Sequence, residues 1–167
     1  MRATFHKIET IGSGFLAVMA RPRAGDWLAD EIKSIRDQGV KQVVSLLERS
    51  EVEELDLLQE EAQCKTNGLN FESFPIVDRQ VPDSIPEFLS FTLSLYEQIA
   101  GGLSTVVHCR AGIGRSGVVA GGVLLHCGFK PQEALQHISS KRGLEVPDTG
   151  PQVDWLHAAY QEIVSGG

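Results

Sequence analysis

Short apolar runs rich in β-branched residues alternate along the chain with longer stretches whose apolar positions recur every three or four residues. Phe15-Leu16-Ala17-Val18-Met19-Ala20 reads as a short strand, and the turn-rich Arg21-Pro22-Arg23-Ala24-Gly25 follows it. Asp26 is then placed to N-cap a helix running to about Gln38, with Gly39 as its stop. Val43 to Leu47 predicts a buried strand. Between Glu51 and Lys65, Val52, Leu55, Leu58 and Ala62 fall at helical spacing. Asn70 to Ile76 predicts another strand, and the prolines between Val77 and Pro86 interrupt regular structure. Helical periodicity returns from Glu87 to Ala100 and ends at Gly101-Gly102. Thr105-Val106-Val107 is a β-branched core strand. The spacing then predicts a mostly apolar helix over 117–127, one from Pro131 to about Lys141, and a last one from Pro151 to Val164. Strand and helix alternate, which predicts an α/β fold with a central, mostly parallel sheet flanked by helices.

With 167 residues, 42% hydrophobic and 22% charged, the chain suits one domain with a single sizeable core. No apolar run approaches the roughly 18 residues that span a bilayer. The first six residues lack the apolar stretch of a signal peptide, so a cytoplasmic location is expected. A net charge of −7 argues against nucleic acid or anionic membrane as partner, and any phosphate site must be a local positive pocket on an acidic body. Cys64, Cys109 and Cys127 form no C-x-x-C pair and make a poor disulfide framework, which fits a reducing compartment.

Residues 108–116 read His-Cys-Arg-Ala-Gly-Ile-Gly-Arg-Ser, between the predicted strand at 105–107 and the apolar helix. Such a loop can wrap the backbone N–H groups of Arg110, Ala111, Gly112, Ile113, Gly114 and Arg115 around three phosphate oxygens while placing the Cys109 sulfur beneath phosphorus. Helix start and arginine together favour the thiolate, the nucleophilic form. Gly112 and Gly114 permit the positive φ angles such a nest can require. Arg115 offers a planar, permanently charged fork for two oxygens. Ser116 is placed to donate a hydrogen bond to the sulfur, and His108 to brace the loop.

This run resembles the signature loop of the cysteine-dependent protein tyrosine phosphatases, in their compact dual-specificity form. The resemblance covers about residues 15–155 and implies a phosphatase catalytic domain occupying 1–167. It also implies a cysteinyl-phosphate intermediate and a general acid about thirty residues before the cysteine. Asp78 lies 31 residues before Cys109, in a Phe-Pro-Ile-Val-Asp stretch similar to the acid loop of small dual-specificity enzymes. Asp83, in a Val-Pro-Asp triplet 26 residues before Cys109, fits less well and is the alternative. The Val146-Pro147-Asp148-Thr149-Gly150-Pro151-Gln152 segment is similar to one in the kinase-associated subset. There Gln152 would orient the attacking water; otherwise Asp148 or Thr149 caps a helix.

The family implies a phosphorylated protein or peptide substrate: phosphotyrosine, with phosphoserine and phosphothreonine admitted by a shallow pocket. Uncharged Ala111 and Ile113 disfavour a phosphoinositide, because the lipid phosphatases of the superfamily carry lysines in this loop. Arg21, Arg23 and Arg79 are candidates for substrate-facing charge. No cofactor or metal is expected, since no ligand spacing is present and Arg115 supplies the charge, and the chain is expected to act as a monomer.

Other readings compete. An inactive phosphate-binding module would keep Arg115 and the nest but lack the nucleophile or acid. A sulfurtransferase would not need the Arg-Ser end of the loop. Residues 112–117 also match the Gly-x-Gly-x-x-Gly dinucleotide fingerprint, but its acidic partner would be Glu133, at a helix start after Pro131. Cys64 or Cys127 would form a redox pair with Cys109 if either lay close to it.

Overall fold

The computed structural model describes residues 2–166. Five strands, β1 (His6–Ile11), β2 (Gly14–Met19), β3 (Gln42–Ser45), β4 (Asn70–Ser73) and β5 (Thr105–His108), form one sheet in the order β1-β2-β5-β3-β4. β2, β5, β3 and β4 pair in parallel, and only the edge strand β1 is antiparallel, to β2. β1 lies outside the predicted elements. It is an edge strand with a bulge between Lys7 and Glu9 that blurs the period-two alternation, so its pattern reads weakly.

Seven helices cover the two faces: α1 (Leu28–Asp37), α2 (Arg49–Glu54), α3 (Glu60–Thr66), α4 (Ile85–Ala100), α5 (Gly114–His126), α6 (Pro131–Arg142) and α7 (Gly150–Gly166). Alternation along the strands splits the core into two layers. Val18, Val44 and Val107 pack with Phe88, Val119, Leu124 and Leu156 on the α4–α7 face. Ala17, Val43 and Val106 pack with Ile32, Ile35, Leu57 and Cys64 on the α1 and α3 face. α5 is buried from Gly114 to Leu125, which explains its apolar composition all round.

Two local expectations are corrected. Asp26 does not cap α1; Gly25 has φ +61° and opens a 3-10 turn over Gly25–Trp27, in which Trp27 N donates to Ala24 O at 3.3 Å. The helical stretch expected from Glu51 to Lys65 is two short helices broken at Asp56, whose φ is +56°. Leu58 and Ala62 face solvent, while Leu57 and Cys64 turn inward. The break changes the phase of the pattern, and it brings Glu51 and Glu60 under the sheet's C-terminal edge.

Candidate active site

β5 is the central strand, paired on both sides, and the run 109–113 leaves its carboxyl end to enter α5. In open parallel sheets this edge is where ligands bind. Gly112 has φ +72°, and a Cβ there would lie 2.5 Å from the carbonyl carbon of Met19, so only glycine fits between the loop and β2. Gly114 has no positive φ. Its requirement is for space, because a Cβ would meet Asp148 Oδ2 at 2.5 Å.

Cys109 is 3% exposed, and Ser116 Oγ donates to its Sγ at 3.1 Å. Arg115 is buried, with both terminal nitrogens engaged. Its NH1 and NH2 grip both oxygens of Glu51 at 2.7 and 3.0 Å, NH1 also donates to Ile76 O at 2.9 Å, and NH2 pairs with Asp78 Oδ1 at 3.0 Å. Burial pushes the Glu51 carboxyl up, but its hydrogen bonds to Arg115 and to backbone outweigh that and hold it below the usual carboxylate range.

Alternation on β5 turns His108 to the α3 face, opposite Cys109. There Nε2 donates to Glu60 Oε2 at 2.6 Å and Nδ1 to Cys109 O at 3.3 Å, both groups being buried. Burial lowers the imidazole, yet the Glu60 charge and hydrogen bond win and raise it, so both ring nitrogens donate. Outside the loop, Arg142 at the end of α6 donates through Nε to Gly112 O at 3.1 Å and through NH2 to Ala111 O at 3.0 Å. These bonds tie two loop carbonyls to the end of α6.

A depression of about 260 Å³ is lined by Asp78, Arg79, Cys109, Arg110, Ala111, Gly114, Arg115 and Asp148. It brings together most of the residues singled out from sequence. Asp83 is not among them: it is exposed, and the adjacent Ser84 caps α4 by accepting from Glu87 N at 3.3 Å. Gln152 is buried, its amide spent on backbone: Oε1 accepts from Asp148 N and Thr149 N at 3.1 and 3.2 Å, and Nε2 donates to Gln80 O at 3.1 Å. It ties the acid loop to the 148–149 turn. Thr149 Oγ1 in turn accepts from Gln152 N at 3.3 Å, a capping contact.

Glu51, Glu60, Arg142 and the pocket-lining Asp148 escaped the sequence reading as site residues. The only signal for the glutamates was acidic residues in a helix predicted as amphipathic, the usual pattern of a solvated face. Cys64 lies in the core on the opposite face of the sheet from Cys109, and its thiol is pushed up to about 12 by burial and then by Glu60 and Glu61. Cys127 follows the far end of α5, about 20 Å along the helix from the loop. Neither pairs with Cys109. Gly117 faces Val146 and Pro147, and Glu133 Oε1 accepts from Lys130 N at the start of α6, so the fingerprint glycines have no ribose-binding partner there.

Residues 6–163 match the family described as PTP-SAK, the Swiss Army Knife protein DSP-PTPase phosphatase domain. The chain belongs to that phosphatase domain family. Human cyclin-dependent kinase inhibitor 3 is 30% identical over 149 residues, covering 81% of this chain and 63% of that protein. Mouse protein tyrosine phosphatase type IVA 2 is 28% identical over 89 residues, covering 52% of this chain and 53% of that protein. The matched region thus spans less than two thirds of these curated relatives. The crystal structure of kinase associated phosphatase with its catalytic-site cysteine replaced by serine superposes with TM-score 0.87 at 19% identity, covering 99% of this chain and 98% of that one. Tk-PTP in a mutant form gives TM-score 0.78 at 26% identity, with 97% of each chain covered. The DSP-PTPase fold, with its mostly parallel sheet flanked by helices, is therefore the fold of this chain. Among the described residues, no helix is long and apolar enough to cross a membrane.

Proposed function

We propose that this DSP-PTPase domain hydrolyses phosphate monoesters on protein or peptide, phosphotyrosine foremost, through a cysteinyl-phosphate intermediate on Cys109. The observation that carries the reading is the convergence of Cys109, Arg115 and Asp78 on one depression, with Ser116 bonded to the sulfur. Phosphate entering the loop takes the place of the Asp78 carboxylate on Arg115 NH2. Asp78, released from that pair, takes up a proton from solvent and gives it to the leaving oxygen as Cys109 Sγ attacks phosphorus. Arg115 and the loop N–H groups stabilise charge on the equatorial oxygens. In the second step water attacks the phosphocysteine, Asp78 accepts the water proton, and the Ser116 hydroxyl stabilises the departing thiolate. Arg110 and the amides of Ala111, Gly112, Ile113 and Gly114 complete the proposed phosphate cradle, with His108 and Gln152 in support.

The presence of both nucleophile and acid favours the enzyme over an inactive phosphate-binding module. The test is p-nitrophenyl phosphate hydrolysis, in EDTA and reductant, by the wild type and Cys109→Ser. Wild-type turnover should fall at least about 10³-fold in the variant, the scale of losing a covalent nucleophile. Turnover surviving in Cys109→Ser would refute the assignment.

A further inference from the structure

Beside the catalytic depression lies a second one of about 450 Å³, formed where the chain leaves β2, with Arg21, Arg23, Trp27 and Arg110 in its lining. Arg110 lines both depressions, so they adjoin at its side chain. On a chain of net charge −7, this basin gathers three guanidinium groups and has no carboxylate in its lining.

Two of the three guanidinium groups are set in place by carboxylates from behind. Glu31, buried on α1, accepts from Arg23 N at 2.7 Å and from Arg23 Nε at 3.0 Å. The Arg23 guanidinium then lies 5.4 Å from the Trp27 ring centroid. Arg110 NH2 is held by Glu54 Oε2 at 3.3 Å. Arg21 N donates to Arg110 O at 3.2 Å, fixing the basin to the catalytic loop. The Arg21 guanidinium itself is exposed and has no hydrogen-bond or ion-pair partner among the described residues. Trp27 is 58% exposed, a large aromatic face left open at the rim. Guanidinium groups recognise carboxylate and phosphate through paired N–H donors, and the ring offers a flat surface for the connecting chain.

We propose that this basin is a second anion subsite, binding a carboxylate or phosphate carried by the substrate next to the phosphate that is hydrolysed. The inference rests on the phosphatase reading above and narrows the substrate to a phosphopeptide with an acidic or second phosphorylated residue beside its target. Arg21 is the principal anion contact, Arg23 and Arg110 supply the surrounding field, and Trp27 packs on the intervening residue.

The experiment compares kcat/KM for four phosphotyrosine peptides of one backbone: flanked by alanine, by aspartate and glutamate, by a second phosphorylated residue, or by lysine. The acidic or doubly phosphorylated peptide should exceed the alanine peptide about tenfold, the scale of one charge-assisted contact. Arg21→Ala should erase that ratio and Arg21→Glu invert it, with melting temperatures checking that both variants fold. An advantage for the doubly phosphorylated peptide alone identifies the ligand as phosphate; an equal advantage for the acidic one extends it to carboxylate. Equal rates for all four peptides, a preference for lysine, or an acidic preference that survives Arg21→Glu would overturn the subsite. Wild type that turns over no p-nitrophenyl phosphate would instead defeat the phosphatase reading. The subsite would then be read by fluorescence anisotropy of the doubly phosphorylated peptide on Cys109→Ser, where binding indifferent to Arg21→Glu overturns it.

Discussion

The loop from Cys109 to Ser116 and the segment from Val77 to Asp83 face each other across one depression, yet they are held in opposite ways. The first is fixed from every side: β5 pairs with two neighbours, Gly112 sits against the β2 backbone, Arg142 takes two carbonyls, and Glu51 grips the guanidinium. The second runs through exposed Val77, Asp78, Arg79 and Gln80, with the left-handed Arg79 at φ +64°. It is retained by the Gln80 N to Val77 O turn at 2.9 Å, the Gln152 amide and the Asp78–Arg115 pair. The contrast separates two chemical demands. Stabilising transition-state charge needs dipoles that do not reorganise. Delivering a proton to a leaving group that arrives with substrate needs a carboxyl able to leave its resting contact.

The largest effect should come from breaking the rigid side. Glu51→Ala leaves Arg115 charged and buried with the Ile76 carbonyl and the half-exposed Asp78 as its remaining contacts, a loss of about 3 kcal/mol that urea denaturation would read. A change under about 1 kcal/mol would mean that the guanidinium is not held as tightly as its contacts imply. On the more lightly held side the expectation reverses. Asp78→Asn should lower kcat about 10²-fold for substrates with poor leaving groups. Because Asp78 is half exposed, the same variant should shift stability by no more than about 0.5 kcal/mol. If Asp83→Asn has that kinetic effect instead, the acid belongs five residues further on.

The smallest effect concerns pH. His108 holds its proton more tightly in the folded chain than in the unfolded one, with burial opposing and Glu60 prevailing. Its contribution is therefore complete below the unfolded imidazole value of about 6.5 and fades as pH rises through the raised folded value. Glu60→Gln should cost about 1–2 kcal/mol at pH 6 and flatten the decline of melting temperature above it. A parallel decline in wild type and variant would detach the pH dependence from this pair. Glu51, held low, works in the other direction: its contribution is present above the unfolded carboxylate value and is lost as pH falls through the folded one.

Much of this was legible in the chain because the catalytic loop is local. His108 to Ser116 are consecutive, and the β-branched Thr105-Val106-Val107 before them and the apolar helix after them carry clear periodicity. Asp78 was singled out by resemblance, through the Phe74-Pro75-Ile76-Val77-Asp78 stretch and its place 31 residues before Cys109. The clamps on the loop were not, because Glu51, Glu60 and Arg142 reach it from 64, 48 and 31 residues away, and a distant ion pair leaves no periodic trace. The break at Asp56 was hidden too: a non-glycine residue in left-handed geometry is set by the packing of Leu57 and Leu69 inside the α1–α3 layer.

The grip of Arg142 on Ala111 and Gly112 has a consequence for how the protein is made. During synthesis Cys109, Arg115 and β5 emerge before α6 does, so the growing chain carries the loop while the Ala111 and Gly112 carbonyls still lack their Arg142 donors. Only when Arg142 leaves the ribosome, and Gln152 after it reaches back to Gln80, do both walls of the depression acquire their outer supports. The outer supports of the depression are thereby completed only after Arg142 and Gln152 have been made, well behind the loop that they hold.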